Sequence, residues 1–122
     1  LADDMLGTGG TLLKAMSFLK ENGATKVIAA ISLPFFTGNA IELFDEAYKK
    51  GLFYRIIGTN AVYHEELLTK EWYISTDVSG LFANVITRIH HNQSIGNLLD
   101  NRTIIEKIVK SVEQNTSQEE KN

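Results

Sequence analysis

The chain has no cysteine, and that absence removes a disulfide framework, a thiolate zinc site and a cysteine nucleophile together. A reducing compartment suits such a composition, and a cytoplasmic location is the expectation. Positive charge is in short supply: 12 Lys and Arg against 15 Asp and Glu leave a formal net charge of -3. That is the wrong sign for a protein whose affinity comes from neutralising phosphates along a nucleic acid, so no nucleic-acid partner is expected, although a small phosphorylated ligand stays open. Long apolar runs are also missing. The longest, Val27 to Phe36, is broken by Ser32 and Pro34 and falls short of the roughly 20 residues that cross a bilayer, so no membrane partner is expected. Leu1-Ala2-Asp3-Asp4 has neither an initiating Met nor the basic-then-apolar order of a secretory signal, as expected of a chain cut from something longer. There is no internal repeat.

What is present is one domain's worth of chain, 122 residues of which 43% are apolar and 22% charged, enough for a modest core. Leu12, Ala15, Met16 and Leu19 recur at helical spacing across 11–22, and Gly23 stands where a left-handed C-cap residue belongs. Val27 to Ile31 is a short continuous apolar run, the pattern of a strand covered on both faces in a parallel sheet. Ser32 to Gly38 reads as loop, and Ile41, Phe44, Ala47 and Tyr48 mark a second helix closed by Lys49-Lys50-Gly51. Phe53 to Gly58 and Trp72 to Ser75 read as further strands, and the alternation of strand and helix predicts right-handed crossovers. Asp77 occupies an N-cap position before Val78, Leu81, Phe82, Val85, Ile86 and Ile89, which trace one helix face. Thr103 to Glu106 has capping-box spacing ahead of a stripe formed by Ile104, Ile105, Ile108, Val109 and Val112. From Glu113 the composition is polar, so 113–122 is expected to be a disordered tail.

The informative stretch is Asp3-Asp4-Met5-Leu6-Gly7-Thr8-Gly9-Gly10-Thr11, in which two acids end an apparent strand and a Gly/Thr loop leads into a helix. Glycines let backbone N–H groups close around a phosphate, two threonine hydroxyls add donors, and the helix N-terminus adds its positive dipole end. Acids at the carboxyl edge of a parallel strand lie beside such a site; they suit sugar hydroxyls or a hydrated Mg2+ rather than phosphate itself. The parts together fit a phosphorylated sugar. A Walker loop is excluded because Gly10, not Lys, precedes Thr11, and the dinucleotide pattern from Gly7 would need Gly where Leu12 stands. A structural turn with solvated acids is the competing reading, against which the acid pair weighs.

These residues resemble the phosphoribosyl-diphosphate loop of type I phosphoribosyltransferase folds: two acids, two apolar residues, a variable position, Thr-Gly or Thr-Ala, Gly or Lys, then Thr or Ser. Further along, Leu19 to Ala24, Phe36-Thr-Gly-Asn-Ala-Ile-Glu42, Gly58-Thr-Asn60, and Ile86-Thr-Arg-Ile-His90 with Ser94 follow in an order that resembles the C-terminal part of the ribose-phosphate diphosphokinase family. The resemblance runs from Asp3 to about Leu99 and would cover well under half of that family's two-domain chain. It implies an α/β fold with a mainly parallel sheet flanked by helices, residues 1–112 forming the later part of a type I phosphoribosyltransferase-like (Rossmann-like) domain. It implies that Gly7, Thr8, Gly9, Gly10 and Thr11 cradle the 5-phosphate of ribose 5-phosphate, while Asp3 and Asp4 engage ribose hydroxyls and help place Mg2+. The family's reaction is attack of the ribose C1 hydroxyl on the β-phosphorus of ATP. ATP is held there mainly by segments that would precede Leu1, so this chain alone is expected to be inactive, and no catalytic residue is assigned to it.

Two positions depart from the family's pattern. Gly7 stands where that family often has Asp, and Ser32-Leu33 where it usually has Thr-His. A phosphoribosyltransferase that consumes phosphoribosyl diphosphate and a non-catalytic regulatory or assembly homologue therefore stay open beside the diphosphokinase. The half-sheet implied by the resemblance would leave its surface open to water or to a neighbouring strand, so the piece is expected to oligomerise, as a homo-oligomer, to aggregate, or to be ordered only alongside the missing portion. Other residues carry less. His90 and His91 diverge by about 100 degrees on a helix and suit a helix C-terminus better than a metal. His64 lies in a polar connector read as solvated loop. Tyr63, Trp72 and Tyr73 read as core or interface, and the Phe35-Phe36 pair as an exposed interface hint.

Overall fold

A computed structural model of the chain describes residues 1–100, 102, 105–107, 109 and 110. The chain divides into two units, Leu1–Ser79 and Gly80–Asn122, the second of which is described only as far as Lys110. The first holds β1 (Ala2–Leu6), α1 (Gly10–Glu21), β2 (Ile28–Pro34), α2 (Ala40–Lys49), β3 (Arg55–Thr59), a 3-10 turn (Glu66–Thr69) and β4 (Tyr73–Thr76). Its four strands make one parallel sheet in the order β1-β2-β3-β4, an α/β architecture.

Local chemistry explains the element ends. After α1, Gly23 takes φ 90 and its N–H reaches the Lys20 carbonyl at 3.1 Å. After α2, Gly51 takes φ 71 and bonds the Tyr48 carbonyl at 2.9 Å. Both glycines supply the left-handed residue that ends a helix without a Cβ penalty. Asp77 caps α3 (Ser79–His90): its carboxylate accepts the Ser79 N–H and hydroxyl, each at 2.9 Å. Asn60 ties this cap to the end of β3 by donating to Asp77 Oδ1 at 2.7 Å and accepting the Val78 N–H at 2.9 Å. These bonds, the Ser79 N–H first among them, hold the Asp77 carboxyl below its usual pKa.

Two expectations for β2 need correction. The strand does not stop at Ile31 but runs through Pro34, because β1 continues beside it with Met5 opposite Leu33 and Leu6 opposite Pro34. Proline is tolerated there since β3 stops pairing at Ile31 opposite Gly58, so the missing N–H falls at the end of the ladder. Nor is β2 covered on both faces. Ala29 and Ile31 are buried while Ile28, Ala30 and Ser32 are exposed. Right-handed crossovers that step one way across a sheet lay their helices on the same face, and in the first unit α1 and α2 cover one side only. Ile28 and Ile74 consequently stay 44% and 45% exposed.

The core between helices and sheet is built from Leu12, Met16, Ala29, Ile31, Phe36, Ala40, Phe44, Phe53, Ile56, Leu67 and Trp72. Trp72, 2% exposed, donates its indole N–H to Asp45 Oδ1 at 2.7 Å, and Lys70 takes the other oxygen at 2.7 Å. The buried indole thereby keeps a partner for its one polar atom. Partial burial, the largest single influence, pushes the Asp45 carboxyl up, but the bonds from Lys70 and Trp72 and the charges of Lys70 and Lys49 outweigh it, so its pKa lies below the ordinary value.

The second unit contains α3 from Gly80 onward and the short α4 (Gly96–Leu99). The apolar stripe read from the sequence is helical from Leu81 to Ile89, with Val78 standing just before α3, but Leu81, Phe82, Ile86 and Ile89 are all exposed. Arg102, Ile105, Glu106, Lys107, Val109 and Lys110 are helical; Thr103, Ile104, Ile108, Val112 and the tail 113–122 lie outside the described residues. No helix among the described residues is long and apolar enough to cross a membrane.

Candidate functional site

The junction of β1 and α1 encloses a cavity of about 310 Å3 lined by Asp3, Met5 and the continuous segment from Leu6 to Leu12. It forms because β1 delivers the chain to the carboxyl edge of the sheet and the glycines turn it at once into a helix. Gly9 is the N-cap of α1 at φ 79, and its carbonyl accepts the first helical N–H, from Leu13 at 2.9 Å. α1 has no side-chain cap and no acidic residue in its first turn, whereas α2 carries Glu42 there and α3 is capped by Asp77. Among the described residues, the N–H groups of Gly7 to Leu12 have no hydrogen-bond acceptor and the hydroxyls of Thr8 and Thr11 have no partner. A row of free donors at the positive end of a helix is an anion-binding arrangement.

The loop is held from outside the cavity. The N–H of Phe36 donates to the Leu6 carbonyl at 3.0 Å and that of Thr37 to the Gly7 carbonyl at 3.1 Å, so the chain after β2 occupies the carbonyls of the turn and leaves its amides free. Gly9 lies against the Phe44 ring, which stands where a Cβ would be. Phe44 is 0% exposed and is enclosed by Phe36, Phe53 and Trp72, with ring centroids at 5.5, 5.8 and 6.0 Å.

The sequence-predicted residues divide as follows. Gly7, Thr8, Gly9, Gly10 and Thr11 all line the one cavity, and Asp3 lines it with them. Asp3 Oδ1 accepts the Asp4 N–H at 2.9 Å. Asp4 is not among the lining residues: it is the next residue of a strand, so its side chain leaves on the opposite face. The acids also lie within β1 rather than at its end, since the strand continues through Leu6. Asp3 also borders a second hollow of about 250 Å3 on the open side of the sheet, together with Ser32, Thr59 and Thr76.

Elsewhere, Trp72 is core, Tyr73 is half-buried with its hydroxyl pKa raised by burial, and Tyr63 is exposed. Phe36 is not an exposed interface residue but a buried one, 5% exposed. His64 is not solvated loop: its Nε2 is buried without a partner among the described residues, and its ring meets Phe36 edge-on at 6.2 Å. His90 ends α3, and among the described residues no group of three or more His, Cys, Asp or Glu could hold a metal ion. Phe36, Thr37 and Phe44 are the residues that sequence reading did not connect to the loop. Only the strand register, which brings Leu6 level with Pro34, reveals the connection.

Fold and site define an α/β protein with a ligand-sized cavity at the carboxyl edge of a parallel sheet. Residues 1–100 match the phosphoribosyl synthetase-associated domain, and the chain belongs to that family. Among curated relatives, it is 39% identical over 98 residues to the ribose-phosphate pyrophosphokinase of Wolinella succinogenes, covering 80% of this chain and 30% of the relative. It is 40% identical over 99 residues to that of Helicobacter pylori strain J99, covering 80% and 29%. It is 38% identical over 96 residues to ribose-phosphate pyrophosphokinase 2 of Schizosaccharomyces pombe, covering 78% and 29%. The chain thus spans about 30% of the length of these relatives.

Proposed function

We propose that this chain is the ribose 5-phosphate-binding part of a ribose-phosphate diphosphokinase, within a type I phosphoribosyltransferase-like domain, and that it is inactive by itself. The observation that carries the reading is the row of unpartnered amides from Gly7 to Leu12 around a cavity that also has Asp3 on its wall. The amides of the turn and the N-terminus of α1 take the 5-phosphate dianion, with the Thr8 and Thr11 hydroxyls completing its donors. Asp3 accepts from ribose hydroxyls; Asp4 fixes the Asp3 carboxylate through its N–H and faces the other side of the strand. With the phosphate and the pentose both fixed, the C1 hydroxyl is held in one orientation toward a diphosphoryl donor, which is ATP in this reading. Catalysis of this type is mainly positioning and charge neutralisation.

Mg2+ is the metal this reading implies. Asp3 is an exposed carboxylate that, among the described residues, has no cationic partner, which fits an ion held by one protein carboxylate together with substrate oxygens. Bound there, it would neutralise charge on the transferring group. A second reading, a non-catalytic homologue, is favoured by Leu33, which faces Met5 across β1 and β2 as an apolar pair at a position where a polar contact is expected of the enzyme.

The test is calorimetric titration of ribose 5-phosphate, ribose and inorganic phosphate into the chain, with AMP release from ATP measured in parallel on the full-length parent. The proposal expects saturable binding of ribose 5-phosphate, weaker binding of either half, and AMP formation by the parent alone. Binding without turnover in the parent favours the non-catalytic homologue, and no binding refutes the reading.

A further inference from the structure

We propose that Phe36 is a positioning residue for the β1–α1 anion loop, acting through its backbone on Leu6 and Gly7 and through its ring on Phe44 and thereby on Gly9; this rests on the ribose-phosphate reading above. Among the described residues only Phe36 and Asn92 take positive φ without being glycine, and Phe36 does so at 45°. A bulky residue in the left-handed region is strained and persists only where its surroundings fix it. Four aromatic rings pack around it: Phe44 at 5.5 Å, Trp72 and Tyr73 at 6.0 Å and His64 at 6.2 Å between ring centroids. The reversal at Phe36 turns two successive N–H groups, its own and that of Thr37, toward β1, where they hold the carbonyls of Leu6 and Gly7.

The consequence lies at the cavity. A peptide whose carbonyl is held on one side presents its following N–H on the other, so fixing the Leu6 and Gly7 carbonyls orients the amides of Gly7 and Thr8. The same aromatic block sets the far side of the turn, because Phe44, packed edge-on against Phe36, is the wall that Gly9 touches. Phe36 touches no ligand; it sets both ends of the loop that does.

The test compares wild type with Phe36→Gly, which keeps the left-handed backbone but removes the ring, and Phe36→Leu, which keeps part of the apolar wedge. Ribose 5-phosphate affinity is read by calorimetry, and backbone order by 15N relaxation at Thr8, Gly9, Gly10 and, as a reference within the sheet, Ile56. Phe36→Gly is expected to weaken binding by about tenfold or more and to lower order parameters at Thr8 to Gly10 from about 0.85 toward 0.6, with Ile56 unchanged. Phe36→Leu is expected to fall between. Wild-type affinity and loop order in Phe36→Gly overturn the positioning role alone, as does a loss of order at Ile56 equal to that in the loop, which would mark an ordinary core residue. Should Phe36→Gly not fold, wild-type behaviour of Phe36→Leu overturns it. Absence of binding by the wild type instead overturns the ribose-phosphate reading beneath it.

Discussion

Gly9→Ala puts the loop geometry under direct load, and Gly23→Ala supplies its control. Both glycines are left-handed, at φ 79 and φ 90, so each substitution bears the cost of an L-residue there, about 1–2 kcal/mol. They differ in what the new methyl meets. At Gly23 no atom of the described residues lies within 4 Å; at Gly9 the methyl enters the Phe44 ring. That ring is completely buried and walled in by three other aromatics, so it cannot swing aside, and overpacking of this kind adds about 1–3 kcal/mol. Gly9→Ala should therefore lose about 2–5 kcal/mol and Gly23→Ala about 1–2, against a total stability of about 5–15 kcal/mol for a small domain. Urea denaturation followed by Trp72 fluorescence measures both. In the double variant Gly9→Ala with Phe44→Leu, the two costs should sum to more than the observed loss, because the smaller side chain makes room. Equal losses at Gly9 and Gly23 would refute the argument that Phe44 fixes the turn.

Asp45→Asn should destabilise the chain by about 1.5–3 kcal/mol near neutral pH, the range for hydrogen bonds to a charged group. The Asp45 carboxyl is held below its ordinary pKa, so its contribution is complete above the ordinary carboxylate range and is lost as pH falls through the depressed native value. Thermal melts of wild type and variant should therefore converge as pH falls through that depressed native value, and a constant gap would contradict the assignment. Asp77→Ala should shorten α3 from its N-terminal end, seen as lost helical circular dichroism, and acidification of the wild type through the lowered pKa of Asp77 should do the same; an unchanged spectrum would count against the cap. Sedimentation should find the chain self-associated, as the exposed apolar side of the sheet suggests, and a stable monomer at all concentrations would contradict this.

Much of the fold was legible because its signals are local. Gly23 and Gly51 marked helix exits that the structure shows at positive φ, and Asp77 marked a cap that it shows hydrogen-bonded. The cavity residues Gly7 to Thr11 were legible for the same reason, as a contiguous Gly/Thr run between a strand and a helix. What was hidden depends on register and handedness. The extension of β2 to Pro34 follows from pairing with β1, and the one-sided burial of the sheet follows from the direction in which the crossovers step. Asp3 and Asp4 read as a pair in sequence, yet strand alternation sends them to opposite faces. Phe36 looked exposed because it follows Phe35 beside a proline, and only the reversal at φ 45 turns one ring out and the other in.

The central claim is that the free amides of the β1–α1 turn receive a phosphate monoester. It is tested most directly by following the backbone 15N–1H resonances of Gly7, Thr8, Gly9, Gly10 and Thr11 while ribose 5-phosphate is added. Saturable downfield shifts concentrated on these residues are expected, with ribose alone leaving them in place. Resonances that do not move, or that move only elsewhere in the chain, would contradict it.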